Sequence, residues 1–176
     1  MSDSDNTLIA RVVSSDDRIA FELLVRRHQS SLRNFLRRLC AGDIDRADDL
    51  AQETFTKVYR SLQSFKGGAK YSSWLYRIAY NTFLNDQRKT YPDTDFEEEN
   101  HPTPCLRQIQ NELDVERALR QLSTRELAVF DLHYQKGMTH SEIANTLELP
   151  LGTIKSDLAR GREKMKNFLL GKHCYE

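Results

Sequence analysis

The sequence predicts an all-α fold: two small helical domains joined by a flexible acidic linker, the C-terminal one containing a helix-turn-helix. Three observations carry that expectation. Apolar residues return at steps of three and four along most of the chain. Two Ser/Thr-x-x-Glu capping boxes open short helices in the last third. A proline- and acid-rich stretch at 91–104, YPDTDFEEENHPTP, interrupts the apolar pattern. The expected divisions are 1–92, a linker at 93–112, and 113–176.

With 176 residues the chain suffices for one ordinary domain or two small ones. Its net charge is zero, but the charge is unevenly placed. Residues 1–17 carry −3, 18–92 carry +7, 93–112 carry −5 and 113–176 carry +1. No apolar run approaches the roughly 18 residues of a membrane span, and the first residues, MSDSDN, are polar. A soluble, cytoplasmic protein without membrane insertion of its own is expected. Cys40, Cys105 and Cys174 are odd in number and scattered, so they read as reduced thiols rather than a disulfide framework or a metal knuckle. Nothing calls for a cofactor.

In order, residues 19–40 place Phe21, Leu24, Val25, Leu32, Phe35, Leu36 and Leu39 on one helical face, with arginines on the remainder. His28 falls on the apolar stripe and reads as a satisfied boundary histidine rather than a ligand. Gly42 and Asp43 break this helix. The next, 45–62, buries Ala47, Leu50, Ala51, Phe55, Val58 and Leu62 and exposes Asp48, Asp49, Gln52, Glu53 and Thr56. Those acids suit a helix N-terminus, and an acidic, amide-bearing face meeting a basic partner helix is the alternative. Asp49 and Glu53 lack the His or Cys company of a transition-metal site.

A glycine-bearing basic loop, FKGGAK at 65–70, precedes a helix that Ser72 is expected to cap. Leu75, Ile78, Ala79, Thr82 and Phe83 form one face of it, and Trp74, Arg77, Asn81, Asn85 and Arg88 a second. A stacking ring, cations and amides on one stripe suit unpaired bases and their phosphates. Trp74 as a core anchor beside solvated neighbours is the competing reading. Tyr71, Tyr76 and Tyr80 add aromatic density, and residues 65–89 carry five bases against one acid, which favours nucleic-acid contact.

After the linker, 113–122 is helical by its Val115, Ala118, Leu119 and Leu122 stripe. Ser123 and Glu126 cap a helix ending near Gly137, and Thr139 and Glu142 cap a brief one that Leu149-Pro150 stops. The final helix, beginning after Pro150, turns Ile154, Leu158, Gly161, Met165 and Leu169 inward and Ser156, Ala159, Arg160, Glu163 and Asn167 outward. From 151 to 172 six Lys or Arg face two acids. Short helix, tight turn and basic helix make a helix-turn-helix whose second member suits the major groove. An ordinary αα-corner is the other possibility.

The segment ADDLAQETFTKVYRSLQSFKGGAKYSSWLYRIAYNTFLNDQRK, the acidic linker, and LSTRELAVFDLHYQKGMTHSEIANTLELPLGTIKSDLARGREKMKNFL together resemble a bacterial RNA polymerase sigma factor of the extracytoplasmic-function (ECF) branch of the sigma-70 family. The resemblance runs from about residue 19 to 170. It implies a non-enzymatic initiation subunit whose partners are core RNA polymerase and promoter DNA, commonly with an anti-sigma factor. It implies core-polymerase binding by Asp48, Asp49, Gln52, Glu53, Phe55 and Tyr59. Capture of the unpaired minus-10 element is implied for Phe65, Lys66, Lys70, Tyr71, Trp74, Arg77, Asn81 and Asn85, and reading of the minus-35 duplex for Thr153, Lys155, Ser156, Ala159 and Arg160. Asp157 departs from the basic residue often found there, Ala159 is smaller than some counterparts, and Gly67-Gly68 shortens the side chains of the capture loop.

Two other classes compete. A free-standing helix-turn-helix regulator would bind duplex operators without polymerase, usually as a dimer. A nuclease or deaminase would need a metal cluster, a P-loop or an HxE…CxxC set, none of which the sequence contains.

Overall fold

The computed structural model describes residues 3–90 and 114–172. The first unit comprises α1 (Asp5–Ser15), α2 (Arg18–Leu39), α3 (Ile44–Ser61), a 3-10 turn at Leu62–Ser64 and α4 (Tyr71–Thr90). The second comprises α5 (Asp114–Leu119), α6 (Thr124–Tyr134), α7 (His140–Leu147) and α8 (Leu151–Lys172). The described residues are thus helical in two units. The expected linker, 93–112, lies outside them.

Helix starts follow side-chain chemistry. Asp17 accepts from the Ala20 amide at 3.0 Å to begin α2, and Asp43 accepts from the Arg46 amide at 3.0 Å to begin α3. Asp43 is therefore a cap as well as a break. Both expected capping boxes form: Ser123 with Glu126 opens α6, and Thr139 with Glu142 opens α7. Ser72 does not cap α4 as expected. It lies inside the first turn, and the Lys70 carbonyl accepts from the Trp74 amide at 3.3 Å.

Helix α1 was not anticipated from the polar N-terminus. Ser4 caps it, and Leu8, Ile9 and Val12 bury a narrow stripe between flanks of polar residues. It also supplies the partner for His28, whose Nε2 lies 2.9 Å from Asp5 Oδ2 while its ring meets Tyr71 edge-on. Helix α5 ends at Leu119, earlier than expected, and Leu122 reaches the core through a turn.

Leu24, Leu32, Phe35 and Leu36 of α2 pack with Ala47, Leu50 and Val58 of α3 and Leu75, Ala79 and Phe83 of α4. In the second unit Leu122, Leu127, Leu132, Ile143, Ile154 and Leu158 close a smaller core. Cys40 is buried beside the first core, and burial pushes its thiol up to about 12, leaving it protonated and inert.

The units touch along two seams, α2 against α6 and α4 against α7. In the first seam Arg38 pairs with the buried Asp131, and Lys136 Nζ donates to the Ser31 carbonyl at 3.2 Å and its hydroxyl at 2.9 Å. Burial pushes the Asp131 carboxyl up, opposed by Arg38 and Lys136, and the Lys136 ammonium down, opposed by Asp131 and reinforced by Arg38.

Candidate nucleic-acid and protein interfaces

Three surfaces gather the candidate residues. On α3, Asp49, Gln52 and Glu53 are exposed, with Glu53 Oε1 2.7 Å from Lys57 Nζ one turn on. Asp48 departs from the expected outward set: it turns toward Arg33 and Arg37 of α2, at 3.5 and 3.6 Å. Phe55 and Tyr59 are half-buried and line a groove with Arg18 and Phe21. The Tyr59 ring meets Phe21 edge-on at 4.8 Å, and its hydroxyl donates to Asp16. This face thus offers acids and an amide beside an apolar furrow.

The second surface is built on α4. Leu75, Ala79 and Phe83 bury one side, so the helical period turns Arg77, Asn81 and Asn85 outward. Trp74 is half-buried against Phe65, their ring centroids 5.2 Å apart. Tyr71 was expected on the surface, yet it is 3% exposed and forms the floor beneath Phe65 and Trp74. Tyr76 and Tyr80 are buried as well, the former donating or accepting at Ser31 Oγ over 2.7 Å. Tyr71 and Tyr76 belong to packing because their rings meet His28 and Phe35 of α2 edge-on. Lys66 and Lys70 project from the loop, which Gly67 turns at φ +72°.

A cleft separates this surface from α7. Gly68, Lys70, Ser73, Trp74 and Arg77 line one wall, Glu142, Asn145 and Thr146 the other. Lys70 Nζ lies 3.0 Å from Glu142 Oε1, and Arg77 pairs with Glu148. Sequence periodicity could not reveal these partners, because they come from the other unit. Asn81 and Asn85 lie farther along α4 and remain exposed.

The third surface is the outer side of α8. Lys155, Ser156, Ala159 and Arg160 are exposed and Thr153 half-buried. Ser156 Oγ donates to the Thr153 carbonyl at 2.9 Å, leaving the oxygen's lone pairs as acceptors. Ile154, Leu158 and Gly161 face the core, as the period requires. Asp157 is fully buried and bound by Arg125 of α6, an arrangement that sequence reading did not identify.

Along its length the chain matches the family model for Sigma-70 region 2 over residues 24–91 and that for Sigma-70, region 4 over residues 112–165. It is 32% identical over 184 residues to the RNA polymerase sigma-H factor of Pseudomonas aeruginosa, covering 95% of this chain and 94% of that one. With the ECF RNA polymerase sigma-E factor of Escherichia coli it shares 34% identity over 182 residues, 93% of each chain. The chain belongs to the ECF branch of the sigma-70 family.

This sigma factor also shares its fold with solved structures. CnrH, in complex with the cytosolic domain of CnrY, superposes with a TM-score of 0.70 at 24% identity, covering 96% of this chain and 99% of that one. The sigma factor RpoE of Bartonella quintana, in complex with the anti-sigma factor NepR, gives 0.68 at 26%, covering 85% and 96%. As a sigma factor it directs promoter-specific initiation with RNA polymerase and is not itself an enzyme. Both the free-standing regulator and the nuclease or deaminase readings are thereby set aside. Among the described residues no group of three or more His, Cys, Asp or Glu could hold a metal ion, and no helix is long and apolar enough to cross a membrane.

Proposed function

We propose that this sigma factor docks on core polymerase through the α3 face, reads the minus-35 duplex with α8, and captures the unpaired minus-10 strand with the 65–70 loop and the outer face of α4. The observation that supports it most is the division of α4 into two faces. One side fills the core, while Trp74, half-buried against Phe65, lines up with the exposed Arg77, Asn81 and Asn85 along the other, a ring in register with a cation and two amides. Trp74 and Phe65 offer a stacking surface on the Tyr71 floor, and stacking of about 1–3 kcal/mol per base offsets an unpairing cost of a few kcal/mol. Arg77, Lys66 and Lys70 supply cations for the backbone.

On α8, Lys155 and Arg160 flank the small residues Ser156 and Ala159, which allow close approach to base edges and phosphates. The exposed acids Asp49 and Glu53 would meet a basic helical surface of the polymerase, with Phe55 and Tyr59 lending apolar contact. In the arrangement described, α7 stands against the minus-10 face and its carboxylates occupy Lys70 and Arg77. Promoter capture therefore requires the units to separate, and a polymerase that holds them apart supplies that separation. The chain works in the cytoplasm, and an anti-sigma partner that holds the closed arrangement is part of this reading, as CnrY and NepR are partners of the similar structures.

In vitro transcription with core polymerase on a promoter library tests the whole. Selected start sites sharing one upstream duplex element and one melted element at a fixed spacing are the expected result. Polymerase association without any start-site selection would defeat the DNA assignments, and failure to associate would defeat the docking assignment.

A further inference from the structure

We propose that Asp157 is a positioning residue for minus-35 recognition: from inside α8 it fixes the Arg160 side chain, with Arg125 and Glu126 as the other members of the clamp. The inference rests on α8 being the duplex-reading helix. A carboxylate with no exposed surface is costly to desolvate unless it is paired and hydrogen-bonded. Asp157 Oδ2 accepts from Arg125 Nε at 2.8 Å and Oδ1 from Arg125 Nη2 at 3.3 Å. The same Oδ1 accepts from Arg160 Nη2 one turn along α8.

Glu126 completes the arrangement from the first turn of α6. It is 3% exposed, held by the Ser123 amide at 2.8 Å, and lies 3.5 Å from Arg160 Nε and 2.7 Å from Lys164 Nζ. Two buried acids fixed to the start of α6 thus receive two cations from the outer side of α8. The Arg160 side chain nevertheless remains half exposed, at 51%.

This geometry has a specific consequence. An arginine loose in solvent must lose rotamer freedom when it engages DNA, whereas one already anchored has lost it on folding. Anchoring also gives the guanidinium a direction, which a point charge on a free stem lacks. The acid at position 157 is therefore no isolated exception on a basic helix. It is matched by a buried arginine at 125, and the pair sets the reach of the residue at 160.

The test measures transcription by core polymerase with the full chain across a library of single-position minus-35 variants. Arg160→Ala is expected to reduce output on the preferred element on the order of tenfold and to flatten preference at one position. Asp157→Asn should lose preference at that same position and no other, and the double variant should be no worse than Arg160→Ala alone. Because Asp157→Asn risks misfolding, the paired change Arg125→Met with Asp157→Leu provides a second route. It replaces the buried ion pair by apolar groups, a swap that is often neutral for stability, and it should still lose the Arg160-dependent preference.

Intact selectivity in both Asp157 variants would overturn the proposal, as would a uniform loss across all positions that persists when Arg160 is already alanine. Arg160→Ala without effect on any position would overturn it too, and would take with it the assignment of Arg160 to the duplex.

Discussion

Lys70, on the loop before α4, holds its ammonium 3.0 Å from the carboxylate of Glu142 on α7. With Arg77 and Glu148 it makes a two-point contact between cations of the face proposed to capture the strand and acids of the helix-turn-helix unit. Under the proposed function, an unpaired strand and α7 compete for the same charges. Exposed pairs of this kind contribute about 0–1 kcal/mol each, enough to hold the units together weakly and little enough to be displaced.

Glu148→Gln should loosen that contact. Distance measurements between labels on α4 and α7 are expected to show a larger open fraction, further increased by salt. Unchanged distances would show that the Arg77–Glu148 pair is not needed to hold the units, leaving Lys70–Glu142 and the α2–α6 seam to do so.

The same position offers a stability test. Glu148 closes α7 in a left-handed conformation at φ 57°, which disfavours a residue with a Cβ. Glu148→Gly should relieve roughly 1 kcal/mol of strain, partly offset by the freedom of glycine in the unfolded chain. A small rise in melting temperature together with a looser α4–α7 contact is the expected combination.

Acid should weaken α7 in a defined window. The Thr139 amide, then Lys70, hold the Glu142 carboxyl at about 2, below its usual value of 4.5. A carboxylate depressed in the folded state contributes stability above its unfolded value, and that contribution is lost as pH falls from 4.5 through about 2. Melting curves of the native chain and Glu142→Gln should differ above pH 4.5 and converge toward pH 2.

Gly161 sits mid-helix on the buried side of α8, where an added Cβ would meet Leu122 at 3.5 Å and Phe130 at 3.9 Å, ordinary packing distances. Gly161→Ala should stabilise the second unit by up to about 1 kcal/mol. Chemical denaturation checks the sign, and promoter selectivity should not change, since the residue faces away from the outer surface of α8.

For the proposed function, Asp49→Arg with Glu53→Lys should abolish association with core polymerase while the helical signal in circular dichroism survives. Lys155→Ala should weaken promoter recognition and spare that association. Asn81→Ala is expected to reduce permanganate reactivity of the minus-10 region more than duplex binding; an undiminished bubble would remove Asn81 from strand capture.

Helix periods, caps and breaks were legible in the residues because they are local. The inward stripes of α2, α3, α4 and α8 and both capping boxes follow from steps of three and four and from which side chains can reach a bare amide. The family, too, was legible, since acidic helix, aromatic-amide stripe and basic helix occur in one order along the chain. Helix α1 escaped notice because its apolar stripe is short and set among acids and serines, and its worth comes from docking on α2. Only the folded chain decided that Tyr71 lies beneath the surface it was expected to form, that Asp48 turns toward Arg33 and Arg37, and that Asp157 is enclosed beside Arg125. Charge and exposure at those positions depend on neighbours 11 to 43 residues away in sequence, from Arg37 beside Asp48 to His28 beside Tyr71, and no local pattern encodes which distant side chain will arrive.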